Sequence, residues 1–203
     1  MIRRLLALAA LAVVAVAYWW RKKPSACPYG QRFWVEAPHP LITRARLREA
    51  LGPEPGERVL EIGPGTGYYT VDLAQWVGSE GTVEIFDIQQ EMLDHTLERA
   101  REGGVANVHP TLGDARSLPY EDDSYDAAIL ITTLGEIPDQ DVALREVNRV
   151  LKPGGRLIVG ELFGDPHMVT LGALRRRAEA ASLVFERHLG PKLGYFARFR
   201  AGE

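Results

Sequence analysis

Residues 61–67 read EIGPGTG and place glycines at 63, 65 and 67, behind an aliphatic run and ahead of an amphipathic one. Without Cβ atoms the chain can turn tightly and bring its backbone close to a bound molecule, so this stretch reads as a ligand loop between a strand and a helix. Its spacing narrows the ligand. A dinucleotide loop follows G-x-G-x-x-G, but counting from Gly63 the last position is Tyr68, whose side chain blocks close helix packing and pyrophosphate approach. An NAD-dependent oxidoreductase is thereby disfavoured. No G-x-x-x-x-G-K-[ST] segment occurs, so the phosphate cradle of an ATPase is missing. Cys27 is the lone cysteine, and His39, His95, His109, His167 and His188 are scattered without ligand spacing. Neither a metal site nor a disulfide framework is expected.

The elements around the loop say what positions it. A chain of 203 residues has room for one α/β domain plus an appendage. Its net charge of −3 provides no overall positive field, so nucleic acid is not an expected partner. After Pro40 the run LITRARLREALG reads as a helix stopped by Gly52. Strand patterns at 58–62, 82–88, 108–112, 125–132 and 156–162 then alternate with helical patterns at 69–77, 91–102 and 139–151. Such alternation predicts a parallel sheet covered on both faces. Pro110 assigns the third strand to a sheet margin. A helix over about 168–182 leads to LVFERHLG and, across PKLG, to YFARFRA. So short a connection makes the last pair antiparallel.

Four stretches in this order, VLEIGPGTGYYT, FDIQQEML, GDARSLPYEDDSYDAAI and LREVNRVLKPGGRLIVGE, resemble the successive motifs of class I S-adenosylmethionine-dependent methyltransferases, above all the group acting on small molecules, lipids and quinones. The resemblance spans residues 41–201. It implies a Rossmann-like fold with a mostly parallel seven-stranded sheet and a C-terminal antiparallel hairpin, and S-adenosylmethionine as cofactor. It also implies site roles. Asp87, 24 positions after Gly63, would accept the ribose hydroxyls, and Ile88 would flank the adenine. Asp114 would take the adenine amino group, with Ala115 supplying a backbone donor. Glu61 would orient the loop or the methionine ammonium, and Gly63, Gly65 and Gly67 would let the backbone meet the methionyl part, opposite a carbonyl near Ile131 or Thr132. LKPGG, residues 151–155, would end a helix, turn and start the fifth strand.

A sulfonium methyl donor is already activated, so alignment matters more than an acid–base pair. Candidates for acceptor chemistry follow the fourth and fifth strands: Thr132, Thr133, Glu136, Glu161 and Asp165. His39 and Tyr68 could enter from the N-terminal side. Glu136, in TLGEIPD, stands where many similar enzymes carry His. A carboxylate there could attract a cationic amine or accept a proton from a hydroxyl.

The N-terminus suggests an address. Residues 5–20, LLALAALAVVAVAYWW, form an uncharged apolar run between Arg3, Arg4 and Arg21, Lys22, Lys23. It reads as a membrane anchor, with a cleaved signal peptide as the competing reading. The expected organisation is an anchor over 1–23, a linker over 24–40 and the methyltransferase domain over 41–203. The linker aromatics Tyr29, Phe33 and Trp34 are expected at the lipid interface, over the active site or packed on the domain. The protein is thus expected to be a single-pass membrane protein with its catalytic domain facing the cytoplasm, meeting a small, hydrophobic, lipid-like or quinone-like acceptor at the bilayer surface. A non-catalytic membrane-bound scaffold of the same fold is the alternative.

Overall fold

A computed structural model of the chain describes residues 23–36 and 39–202. After a 3-10 turn at Tyr29–Gln31 come α1 (Phe33–Glu36), α2 (Arg44–Leu51), β1 (Arg58–Ile62), α3 (Thr70–Val77), β2 (Thr82–Asp87), α4 (Gln90–Glu102) and β3 (Val108–Leu112). The second half contains β4 (Tyr125–Ile131), a 3-10 turn at Leu134–Glu136, α5 (Gln140–Val150), β5 (Leu151–Leu162), α6 (Leu171–Ala180), β6 (Leu183–Leu189) and β7 (Gly194–Ala201). The seven strands form one sheet in the order β3-β2-β1-β4-β5-β7-β6. β1 to β5 run parallel, and β7 lies antiparallel to both β5 and β6.

Period-two patterning divides the core into two layers. Val59, Val83, Ile85, Ala127, Ile129, Ile158 and Phe196 point to the face covered by α2, α3 and α4. Their neighbours Leu60, Phe86, Ala128, Leu130, Leu157, Val159 and Tyr195 point to the face covered by α5 and α6. Each of these strands therefore supplies both layers. The helix ends are closed chemically as well. Thr43 accepts the Arg46 N–H at the start of α2, and Gly52 takes a left-handed φ of 58° at its end. Arg198 on β7 donates to the terminal carbonyls of Ala50 and Leu51, both at 3.0 Å, tying α2 to the hairpin.

Several expectations shift in detail. β4 stops at Ile131 because Thr132 has a φ of 53°, a conformation a β-branched residue cannot extend into a strand. β5 begins at Leu151 instead of 156: the LKPGG turn is a bulge within the strand, where pairing steps from Tyr125↔Leu151 to Ala127↔Arg156. α6 starts at Leu171 instead of 168. Ahead of it the Asp165 carboxylate accepts the His167 N–H at 2.7 Å and Glu161 accepts the Val169 N–H at 3.0 Å, so side chains satisfy the backbone before a helix can. β3 is an edge strand, as Pro110 requires.

The expectation of a single-pass membrane protein facing the cytoplasm is corrected. Among the described residues no helix is long and apolar enough to cross a membrane. The longest, α4, has 13 residues against the roughly 20 a bilayer requires, and its exposed positions are polar. The apolar run at 5–20 and the side chain of Trp34 lie outside the described residues.

One close approach shapes the carboxyl edge of the sheet. A Cβ built on Gly135 would lie 1.9 Å from the His167 carbonyl oxygen, so the 3-10 turn after β4 sits directly on the loop after β5. Gly135→Ala should therefore destabilise the fold by about 1–3 kcal/mol, the usual cost of overpacking. Urea unfolding followed by circular dichroism measures it; an unchanged midpoint would mean that the two loops separate freely.

Candidate functional site

The switch point of the sheet lies between β1 and β4, where strand order reverses and a crevice opens beyond the carboxyl ends. A cavity of about 290 Å3 occupies this position. Glu61, Gly63 and Gly65 contribute from β1 and its loop, Asp87 and Ile88 from the end of β2, Asp114 and Ala115 from the turn after β3, and Thr132 and Glu136 from the segment after β4. The structure thus brings together the sequence-derived cofactor positions, with Thr132 and Glu136, except for Gly67. That glycine, with φ 73°, faces α4, where a Cβ would come to 3.0 Å from Thr96. It is a packing position.

The glycine loop is held from below and across. Glu61 is buried and accepts the Thr70 hydroxyl at 2.6 Å, joining β1 to the first turn of α3. Thr133 donates its hydroxyl to the Gly63 carbonyl at 3.2 Å, and a Cβ on Gly63 would fall 2.4 Å from that same threonine. Gly63 and Gly65 have φ values of 68° and 59°, so only glycine fits without strain. Thr132 turns its hydroxyl back onto the Ile131 carbonyl at 2.8 Å, while its N–H donates to Gly160 at 2.8 Å.

Carboxyl groups dominate the electrostatics. Burial pushes Asp87 up to about 6 against the opposing N–H bonds of Gln89 and Ile88, and pushes Glu61 up to about 7 against the Thr70 hydroxyl. Glu136 rises to about 8, chiefly through burial, with the charges of Asp165 and Asp87 adding and the Cys27 N–H opposing. Glu161 is fully buried outside the cavity lining, and its burial raises it well above the carboxylate range. Asp114 behaves oppositely: Arg116 grips it through Nε and Nη2 at 2.6 to 3.1 Å and holds its carboxyl low.

The lining suits a sulfonium donor with a nucleoside. Asp87 stands in the lining with its carboxylate steadied by the Gln89 N–H on Oδ1 at 2.9 Å, leaving lone pairs for a diol. Ile88 is 58% exposed, an apolar surface beside that carboxylate of the kind a purine covers. Arg116, which also lines the cavity, is paired with Asp114. A positively charged donor therefore meets an acidic wall, part of which burial keeps protonated near neutral pH. No group of three or more histidine, cysteine or acidic side chains among the described residues could hold a metal ion.

Of the acceptor-side candidates, Thr133, His39 and Tyr68 also line the cavity, whereas Glu161 and Asp165 stand behind it. His39 meets Tyr68 edge-on at 5.0 Å and stacks near Tyr69 at 6.3 Å, forming an aromatic wall, and burial lowers its basicity. Two contributors escaped the sequence reading. Residues 24–27 lie across the cavity, and Gln89 is bonded to them. Cys27 reads as an idle thiol in a linker, yet its backbone N–H donates to Glu136 at 3.2 Å. Nothing in local sequence marks a backbone group as a site contact.

Comparison with known proteins agrees with this geometry. Residues 39–175 match the model of the ubiE/COQ5 methyltransferase family. The ubiquinone/menaquinone biosynthesis C-methyltransferase UbiE of Vibrio campbellii is 41% identical over 144 residues, covering 70% of this chain and 52% of that protein. UbiE of Cellvibrio japonicus is 42% identical over 120 residues, covering 59% of this chain and 48% of that protein. The chain spans about half the length of these curated relatives. Among solved structures, a SAM dependent methyltransferase from Aquifex aeolicus superposes with a TM-score of 0.79 at 21% identity, covering 87% of this chain and all of that one, which establishes the shared fold. The motif order, the seven-stranded sheet and the family match agree: this chain belongs to the ubiE/COQ5 methyltransferase family, among the S-adenosylmethionine-dependent methyltransferases.

Proposed function

We propose that this chain transfers a methyl group from S-adenosylmethionine to a ring carbon of a quinone-like acceptor in its reduced, hydroxylated form. The observation that carries this reading is one cavity that holds both a nucleoside-type carboxyl, Asp87, and a carboxyl poised to exchange protons near neutrality, Glu136. The aromatic wall of His39, Tyr68 and Tyr69 adds a surface on which a planar ring can lie. Support for the acceptor class comes from the relatives, whose names state ubiquinone/menaquinone C-methylation.

Asp87 would hold the ribose hydroxyls, Ile88 the adenine face, and the backbone at Gly63 and Gly65 the methionyl part. Asp114 and the Ala115 N–H would meet the adenine edge. Arg116 grips both oxygens of Asp114, and the Oδ2 that takes its Nη2 at 2.6 Å has a second lone pair for the adenine amino group. Glu61 stays inside, holding the loop through Thr70. Thr132 shapes the wall from its strained backbone. When bound, S-adenosylmethionine supplies an activated methyl, which leaves the chain to align the ring and manage one proton. Glu136 accepts that proton from the ring hydroxyl, which raises electron density at the neighbouring carbon. With the methyl carried from the donor sulfur to that carbon, the ring would lose the hydrogen there as a proton and Glu136 would return its own to the ring oxygen, so one proton would be released overall.

Three outcomes test the reading. Asp87→Ala should weaken S-adenosylhomocysteine binding in calorimetry by about 1–3 kcal/mol, the cost of losing charge-assisted hydrogen bonds; equal affinity removes Asp87 from the nucleoside site, and no binding by the wild type would favour a scaffold. With a prenylated hydroquinone as acceptor and methyl-labelled donor, product analysis should find the label on a ring carbon, and label on oxygen or on protein would overturn the acceptor assignment. In the same assay kcat/KM should climb with pH, pass half its maximum at about 8, where Glu136 loses its proton, and level off above that. Glu136→Gln should abolish that limb and lower kcat by about 10²–10⁴, the usual contribution of a positioned base.

The same carboxyls link folding to pH. Asp87, Glu61 and Glu136 all hold protons more tightly in the folded chain than in the unfolded one. Their contribution is fully present below the ordinary carboxylate range and is lost as pH rises through about 6 to about 8. The ligand-free protein should accordingly melt at a lower temperature at alkaline than at mildly acidic pH, and Glu136→Gln should flatten the upper part of that slope. A melting temperature that rises across this window would contradict the burial of these groups.

A further inference from the structure

We propose that residues 24–31 form a movable strap over the cavity and that Gln89 is the positioning residue that latches it. The inference rests on the two-ligand reaction proposed above. Small-molecule sites commonly enclose about 300–1,000 Å3 for one ligand. The cavity here measures about 290 Å3 with Pro24, Ser25, Ala26 and Cys27 among its walls. A nucleoside donor and a ring acceptor together exceed that space. Some wall must move, and the strap is joined to the rest of the cavity by hydrogen bonds that lie outside the sheet's own ladder.

Its attachment is specific. The Gln89 side-chain amide donates from Nε2 to the Cys27 carbonyl at 3.0 Å and accepts the Tyr29 N–H on Oε1 at 3.2 Å. Bonding the carbonyl of one residue and the N–H two positions on is how one residue of a strand pairs with a neighbouring parallel strand. A single side chain thus imitates one rung of a sheet. The strap has two further ties: the Cys27 N–H to Glu136 at 3.2 Å, and the Tyr29 hydroxyl to His95 Nδ1 at 3.2 Å. Two of these connections reach the reaction site itself. Gln89 also donates its backbone N–H to Asp87 at 2.9 Å, and Glu136 is the proposed proton acceptor. The strap therefore bridges the nucleoside side and the acceptor side, and its release opens both.

Hydrogen exchange and ligand kinetics on the full chain test this. In Gln89→Ala the Tyr29 amide and its neighbours in 24–31 should exchange about tenfold faster or more, since two hydrogen bonds are lost, while the amides of β1 and β4 keep their protection. Gln89→Glu, which still accepts from Tyr29 but sets an anion against the Cys27 carbonyl, should behave alike. In stopped-flow binding of S-adenosylhomocysteine, association and dissociation should both accelerate in these variants, with Kd changing less than either rate, the signature of a gate as opposed to a contact. Unchanged exchange at residues 24–31 in both variants would overturn the strap. Faster exchange with unaltered ligand rates would overturn its gating role. If S-adenosylhomocysteine fails to bind at all, the methyltransferase reading falls, while the exchange arm still decides whether Gln89 latches the strap.

Discussion

At position 63 the backbone and Thr133 stand so close that even a methyl group would not fit between them. That contact joins the loops leaving β1 and β4, the two strands flanking the reversal of strand order. Everything at the site follows from it. A larger residue would push the β4 loop outward and carry Thr132 and Glu136 away from Asp87, and the crevice would lose the facing walls that make it a binding site. The left-handed φ of Gly63 and the hydrogen bond from Thr133 to its carbonyl are two aspects of the same constraint. Glu61 serves it from beneath, since its bond to Thr70 fixes where α3 begins and so where the loop must end.

The carboxyls show how a small fold manages charge. Four of them cluster at the ends of β1, β2, β4 and β5, and only Asp114 among the cavity acids has a full cationic partner. The others are kept by burial in a state that binds protons more readily than in water. For a protein handling a cationic donor and releasing a proton, such unpaired acids are an asset at the site and a cost in the core. Arg156 with Glu57 and Arg149 with Glu146 and Asp122, by contrast, are paired and lie away from the cavity. These structural charges are neutralised by partners, whereas burial holds protons on the acids where chemistry is expected.

Much of this was legible before any coordinates. Period-two runs marked the strands, and glycines, aspartates and their order marked the cavity, because a backbone turn and a strand-end carboxylate depend on residue type at a fixed local position. The closing hairpin was legible from the shortness of PKLG. Three kinds of feature were not. Gly67 looks like its neighbours in sequence, but its direction is set by α4, a distant element. The start of β5 was hidden because a bulge has no residue signature beyond Gly154, whose φ of 75° belongs equally to a turn. The segment at 24–31 reads as a linker since most of its contacts are made by backbone atoms, which every residue possesses, the Tyr29 hydroxyl on His95 being the exception.

The two margins of the sheet carry a further consequence. β3 pairs with β2 through the backbone of His109 and Thr111, leaving Val108, Pro110 and Leu112 to face outward. With proline in the middle of that outward row, a second copy aligning alongside would find a donor missing at the centre of the ladder. On the opposite margin β6 is kinked by the irregularity between Phe185 and Arg187 and bears Glu186, Arg187 and His188 in succession. Neither border offers a flat template, so a seven-stranded sheet with two open ends resists growing into fibrils through its own hydrogen-bonding geometry.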